Sequence, residues 1–135
     1  MRKTRRILVV DDDAAILEVT RTILTGAGYE VATASSGADA LAAVRQTRFD
    51  VALLDINMPG MDGWETLRIL QSDSESAGLP VVMFSIKSEI RDKVHGIQEG
   101  AVGYITKPFE MEGLLAGVRR VLDTLEGGNL QDVMP

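Results

Sequence analysis

The chain has no cysteine, so it can form neither a disulfide nor a thiolate-bound metal site, and this suits a reducing compartment. Long apolar runs are missing too. The basic residues at 2, 3, 5 and 6 are followed by only four apolar residues, 7–10, before three aspartates. A secretory signal needs an apolar stretch of about 7–15 residues, and a membrane span needs about 18. Positive charge is the minority sign, with 14 Lys and Arg against 20 Asp and Glu, and the net charge is −6. A pI near 4.7 counts against a nucleic-acid groove as the main surface. No internal repeat is visible. What remains is an acidic chain of 135 residues, 45% hydrophobic, of a size that suits one domain and buries roughly two-thirds of its unfolded surface. A cytoplasmic, membrane-free protein is expected, and Met1 reads as a native start.

Short apolar runs alternate with stretches of helical period. Residues 7–10, 51–54 and 81–84 are continuously apolar, as strands covered on both faces of a parallel sheet should be. Residues 29–34 and 102–105 are interrupted by Glu30, Thr33 and Gly103 and are expected at the sheet edges. Between them, Ile16, Leu17, Thr20, Ile23, Leu24 and Ala27 form one helical stripe. Ala40, Leu41 and Val44 form a second, Trp64, Leu67 and Leu70 a third, and Ile90, Val94 and Ile97 a fourth. Leu114, Leu115, Val118, Val121, Leu122 and Leu125 complete the set. Asp62 with Glu65, and more weakly Ser36 with Asp39, resemble capping boxes, while Gly28 and Gly100 stand where helices should end. Five β-then-α units predict an α/β fold, a doubly wound five-stranded parallel sheet with helices on both faces. Right-handed crossovers favour the strand order 2-1-3-4-5. Residues 71–78 read as a plain polar connection, and residues 126–135 as a tail or linker too short for a second domain.

In such a sheet, ligands bind beyond the carboxyl ends of the strands, where strand order reverses. Asp11, Asp12 and Asp13 follow the first strand directly and Asp55 follows the third, so the topology brings them together across more than 40 residues of sequence. Ser85 ends the fourth strand and Lys107 the fifth, on the same edge. Clustered carboxylates repel one another, more so when partly desolvated. A hard cation such as Mg²⁺, which takes oxygen ligands and keeps several waters, resolves that repulsion. An aspartate beside such a cation and a lysine is placed to attack phosphorus. Singly, each feature has an ordinary explanation: Asp13 is the expected helix cap, and Ser85 and Lys107 are turn residues. Their convergence is what marks a site.

The segments ILVVDDD (7–13), LLDINMPGMDG (53–63), the strand-end Ser85 and GYITKPF (103–109) together resemble the receiver domain of two-component response regulators. The similarity runs over residues 6–125. It implies a flavodoxin-like fold, with Asp55 as phosphoacceptor and Mg²⁺ or Mn²⁺ as cofactor. Asp12 would be a direct metal ligand, Asp11 would hold the metal through water, and Asn57 would offer its backbone carbonyl. Ser85 and Lys107 would bind the phosphoryl group. Tyr104 matches the aromatic that turns inward on phosphorylation and remodels the face formed by the fourth helix, fifth strand and fifth helix. The Lys107–Pro108 bond is a candidate cis peptide. The implied partners are a sensor histidine kinase or phosphotransfer protein, a downstream protein target and, as a candidate, a second copy of the chain. One departure is Ile86, bulkier than the Ala or Gly common there, which is expected to narrow access to the acceptor.

Other residues carry blander expectations. His95, the single histidine, reads as a surface helix residue, Trp64 as packing, and Gly113 and Gly117 as tolerated helix glycines or a close approach to a partner helix. The basic residues at 2, 3, 5 and 6 read as a solvated flank. Two rival functions compete with the switch. An aspartate-based phosphohydrolase would use Asp11 as nucleophile and Asp13 as acid/base, but it lacks a cap domain and has Ala15 where Thr or Val is usual. A phosphate-independent adaptor sits badly with a complete acidic cluster. At this length no effector domain fits, so output is expected through protein contacts or a domain absent from this chain.

Overall fold

The computed structural model describes residues 4–85 and 90–127, with the side chains of residues 85, 90–93 and 125–127 left aside. Five strands alternate with five helices: β1 (Arg6–Val10), α1 (Ala14–Gly26), β2 (Glu30–Ala34), α2 (Gly37–Gln46), β3 (Val51–Asp55), α3 (Gly63–Ser72), β4 (Val81–Ser85), α4 (Ile90–Glu99), β5 (Gly103–Thr106) and α5 (Met111–Gly127). All pairings are parallel, in the order β2-β1-β3-β4-β5. The expected doubly wound sheet is therefore present, and the two interrupted runs form its edges.

Alternation along the strands divides the core. Ile7, Val9, Val51, Leu53, Val82 and Phe84 meet the apolar stripes of α1 and α5. Leu8, Val10, Ala52, Leu54 and Met83 face the other way, toward Leu67 and Leu70 of α3. Because both faces are covered, residues 7–10 of β1 and 51–54 of β3 need apolar side chains at every position. Each fully buried Leu or Ile contributes about 1.5–3 kcal/mol.

Among the described residues, the starts of α1, α2 and α3 are capped by side chains. Asp13 accepts from the N–H groups of Ala15 (2.9 Å) and Ile16 (3.3 Å), Ser36 from that of Asp39 (3.1 Å) and Asp62 from that of Glu65 (2.9 Å). Gly28 and Gly100 adopt φ of 98° and 99° just after α1 and α4, a conformation that side chains with a Cβ resist.

Two minor expectations are corrected. Arg5 and Arg6 are not a free solvated flank. Arg5 pairs with Asp50 at 3.5 Å and Arg6 with Glu30 at 2.9 Å, while the Arg6 N–H donates to Asp50 at 2.8 Å. Gly117 faces no partner helix: a Cβ there would lie 3.1 Å from Ile105 Cδ1, so the missing side chain lets α5 settle onto β5. Gly113 faces open space. Within the polar connection, Ser76 is buried and its hydroxyl donates to the Leu70 carbonyl at 2.7 Å, closing the end of α3. Ile86 and the segment 128–135 lie outside the described residues.

Candidate functional site

Sheet register assembles the site. Val10 pairs with Leu54, so the residues that follow them, Asp11 and Asp55, emerge side by side at the switch point between β1 and β3. Asp55 pairs with Phe84, and Ser85 with Thr106, which brings the ends of β4 and β5 to the same edge. Asp55 continues the alternation of Val51 and Leu53 and thus lies on the face that carries α1 and α5.

Asp11 is fully buried and Asp55 is 4% exposed, whereas Asp12 is exposed. Carboxylate oxygens of all three lie within 4.8 Å of one another. Lys107 spans the two buried members, with its Nζ 2.5 Å from Asp11 Oδ2 and 3.3 Å from Asp55 Oδ1. The other oxygen of Asp11 accepts the Asp13 N–H at 2.9 Å, which fixes its orientation.

Three negative charges face one positive. Burial first, then the neighbouring charge of Asp11, pushes the Asp55 carboxyl up to about 6, against the pull of Lys107. Burial pulls the Lys107 ammonium down, but its hydrogen bond to Asp11 and the charge of Asp55 more than offset this and leave it raised. The ammonium is therefore held charged while the Asp55 carboxylate remains short of positive charge. A divalent cation fits that deficit: the donors are oxygens, they are clustered, and one of them is open to solvent.

The loop after β3 carries Asn57, exposed, and returns at Gly63, whose N–H donates to the Ile56 carbonyl at 2.8 Å. A Cβ on Gly63 would collide with the Asp55 carbonyl oxygen and come within 2.7 Å of Ile56 Cα. Only glycine lets α3 begin this close to the backbone that carries Asp55. The sequence hint was the Asp62–Gly63 pair opening a helix, but the approach to Asp55 needs the fold to be seen.

The remaining candidates fall as follows. Ser85 ends β4 on the site edge, and the Lys107–Pro108 bond is cis. Tyr104 is half-buried against the α3-side cluster, on the opposite face of the sheet from Asp55. His95 lies away from the carboxylates, edge-on to Trp64 with ring centroids 4.3 Å apart and with its Nε2 3.8 Å from Glu99. Phe84 was not singled out in the sequence, yet its ring lies under the site, 4.9 Å from Lys107 Nζ.

A family model described as the response regulator receiver domain matches residues 7–119. The chain belongs to that family. Receiver domains are phospho-accepting switches of two-component systems, and they bind Mg²⁺ at an aspartate cluster. This receiver is 45% identical over 115 residues to the DNA-binding response regulator MtrA of Mycobacterium tuberculosis, covering 85% of this chain and 49% of that protein. It is 39% identical over 117 residues to protein PilH of Pseudomonas aeruginosa, covering 87% of this chain and 97% of that one. Among solved structures, chemotaxis protein CheY4 of Vibrio cholerae superposes with a TM-score of 0.85 at 38% identity, covering 89% of the receiver and 100% of that chain. The chain thus spans about half the length of the MtrA proteins it matches and nearly all of PilH.

Proposed function

We propose that Asp55 accepts a phosphoryl group from a phosphohistidine of a sensor kinase or phosphotransfer protein. A carboxylate oxygen of Asp55 attacks phosphorus, the P–N bond breaks, and the departing imidazole takes up a proton. The observation that carries this reading is the pair of buried carboxylates spanned by one lysine, with a third carboxylate within 4.8 Å. Asp11, Asp12, Asp55 and the Asn57 carbonyl would hold Mg²⁺ or Mn²⁺, which supplies charge neutralisation of the transferring group when bound. Lys107 takes the phosphoryl oxygens as charge accumulates there, and Ser85 donates a hydroxyl to them. The receiver proper would span residues 6–125, with residues 126–135 as tail or linker.

Signal output would follow from Tyr104 turning inward and the face of α4, β5 and α5 changing shape. Exposed Val94, Ile97 and Met111 on α4 and α5 support a protein target or a second copy of the chain on that surface. Acidic charge argues against direct nucleic-acid contact by this chain, although MtrA is described as DNA-binding. Among the described residues no helix is long and apolar enough to cross a membrane, which supports a cytoplasmic location. The phosphohydrolase alternative loses ground at Asp13, whose Oδ1 is engaged with two helix N–H groups. Autophosphatase activity would be slow, and Ile86 would lengthen the phosphoryl lifetime.

The deciding experiment is phosphoryl labelling of the whole chain from a phosphohistidine donor or acetyl phosphate, with Mg²⁺ and with chelator. Incorporation should require Mg²⁺ and vanish in Asp55→Asn. Undiminished labelling of that variant overturns the assignment, and label mapped to Asp11 would favour the hydrolase.

A further inference from the structure

We propose that Phe84 is a positioning residue for Lys107: the face of its buried ring holds the ammonium opposite Asp55. The proposal rests on the phosphoacceptor reading above.

Among the described residues, Lys107 Nζ lies against two carboxylates and an aromatic ring. The carboxylates are Asp11 at 2.5 Å and Asp55 at 3.3 Å. The ring is that of Phe84, 4.9 Å from nitrogen to centroid. Phe84 is fully buried and pairs with Asp55 across the β3–β4 ladder, so the ring and the acceptor are fixed to adjacent strands. Its own position is set by Phe109, whose ring lies 5.2 Å away at 37°. Phe109 is two residues beyond Lys107, so the turn that delivers the ammonium also delivers the ring that braces its platform.

The two carboxylates are unequal holders. The shorter bond goes to Asp11, and Asp11, like Asp55, is a carboxylate that a divalent cation would draw on. Once Asp11 shares its charge with a cation, the ammonium loses part of its strongest anchor at the moment it is needed at Asp55. An aromatic face attracts an ammonium through its quadrupole, offers no lone pair to compete for the metal, and excludes water from that side. An aliphatic side chain of similar size would fill the space without the attraction. The ring therefore keeps Lys107 over the acceptor whether or not Asp11 is engaged.

The test uses the whole chain with 3,4,5-trifluorophenylalanine at position 84, which keeps the shape but strips the negative face, and alongside it Phe84→Leu. In metal-free wild type, the Lys107 ε-methylene protons should be shifted upfield by the ring current, and Phe84→Leu should lose that shift. At saturating Mg²⁺, the fluorinated and leucine variants should both be labelled from acetyl phosphate roughly three- to tenfold more slowly than wild type, with Mg²⁺ affinity unchanged. Wild-type ε-methylene protons at their free-lysine position, or a fluorinated variant at the wild-type rate, overturn the proposal. Slowing in Phe84→Leu alone makes Phe84 a packing residue and also overturns it. If Phe84→Leu does not fold, the fluorinated variant decides. Failure of wild type to label at Asp55 defeats the phosphoacceptor reading instead, and the ring-current measurement still stands apart from it.

Discussion

The two ends of the sheet handle charge in opposite ways. At the amino ends of the strands, Arg5 meets Asp50 and Arg6 meets Glu30, positive against negative, at partly or well exposed positions. Arg6, Glu30 and Asp50 border an open groove of about 690 Å³ that Thr47, Arg48 and Phe49 also line. At the carboxyl ends, three carboxylates share one lysine, and two of the three are buried. Charge that is balanced locally and wetted holds a structure together, whereas charge left unbalanced out of water waits for something to arrive.

The contrast can be broken most forcefully at Lys107. Lys107→Ala strands the fully buried Asp11, and chelated protein should lose about 3–5 kcal/mol of unfolding free energy. Urea titration with and without Mg²⁺ checks this, and added Mg²⁺ should restore part of the loss. Asp55→Asn should act in the reverse direction in metal-free protein. The folded carboxyl sits near 6 against an unfolded value of about 3.9, so its ionisation opposes folding fully above pH 6. The variant should therefore gain roughly 2–3 kcal/mol at pH 8. That gain should shrink as pH falls from 6 toward 4 and disappear below, because wild-type Asp55 is then protonated in both states. A gain that grows on acidification would contradict the burial argument. Gly63→Ala forces a Cβ into backbone rather than into a yielding side chain, and should lose about 1–3 kcal/mol. Gly26→Ala, with nothing within 4 Å of the added carbon, should be neutral or gain up to about 1 kcal/mol. At the amino end, Glu30→Gln removes an exposed pair and should change stability by less than about 1 kcal/mol. A large effect there would erase the distinction between the two ends.

Most of the fold was legible because both-face burial imposes a visible pattern: residues 7–10 of β1 and 51–54 of β3 are continuously apolar, and the edge strands are not. Asp55 was legible for the same reason, as a carboxylate that directly follows such a run. Arg5 and Arg6 were misread because their partners lie 24 to 45 residues away, and nothing local announces an ion pair at that separation. Gly117 was half-read: a helix glycine advertises a close approach but not which element makes it. Phe84 gave no signal, since an aromatic in an apolar strand looks like core, and it is core. Its second role comes from lying beneath a lysine that is 23 positions further along the chain.

Trp64 and His95 are the single residues of their kinds in the chain, and their rings touch across α3 and α4. Trp64 also follows Gly63, the glycine that fastens α3 to the backbone of Asp55. The receiver therefore carries its own optical and magnetic label at the joint between the helix tied to the Asp55 backbone and the next helix round the sheet. An indole emission spectrum has one source, an imidazole proton resonance has one owner, and each feels the other's ring, so a change in spacing between α3 and α4 can be followed in the unmodified protein.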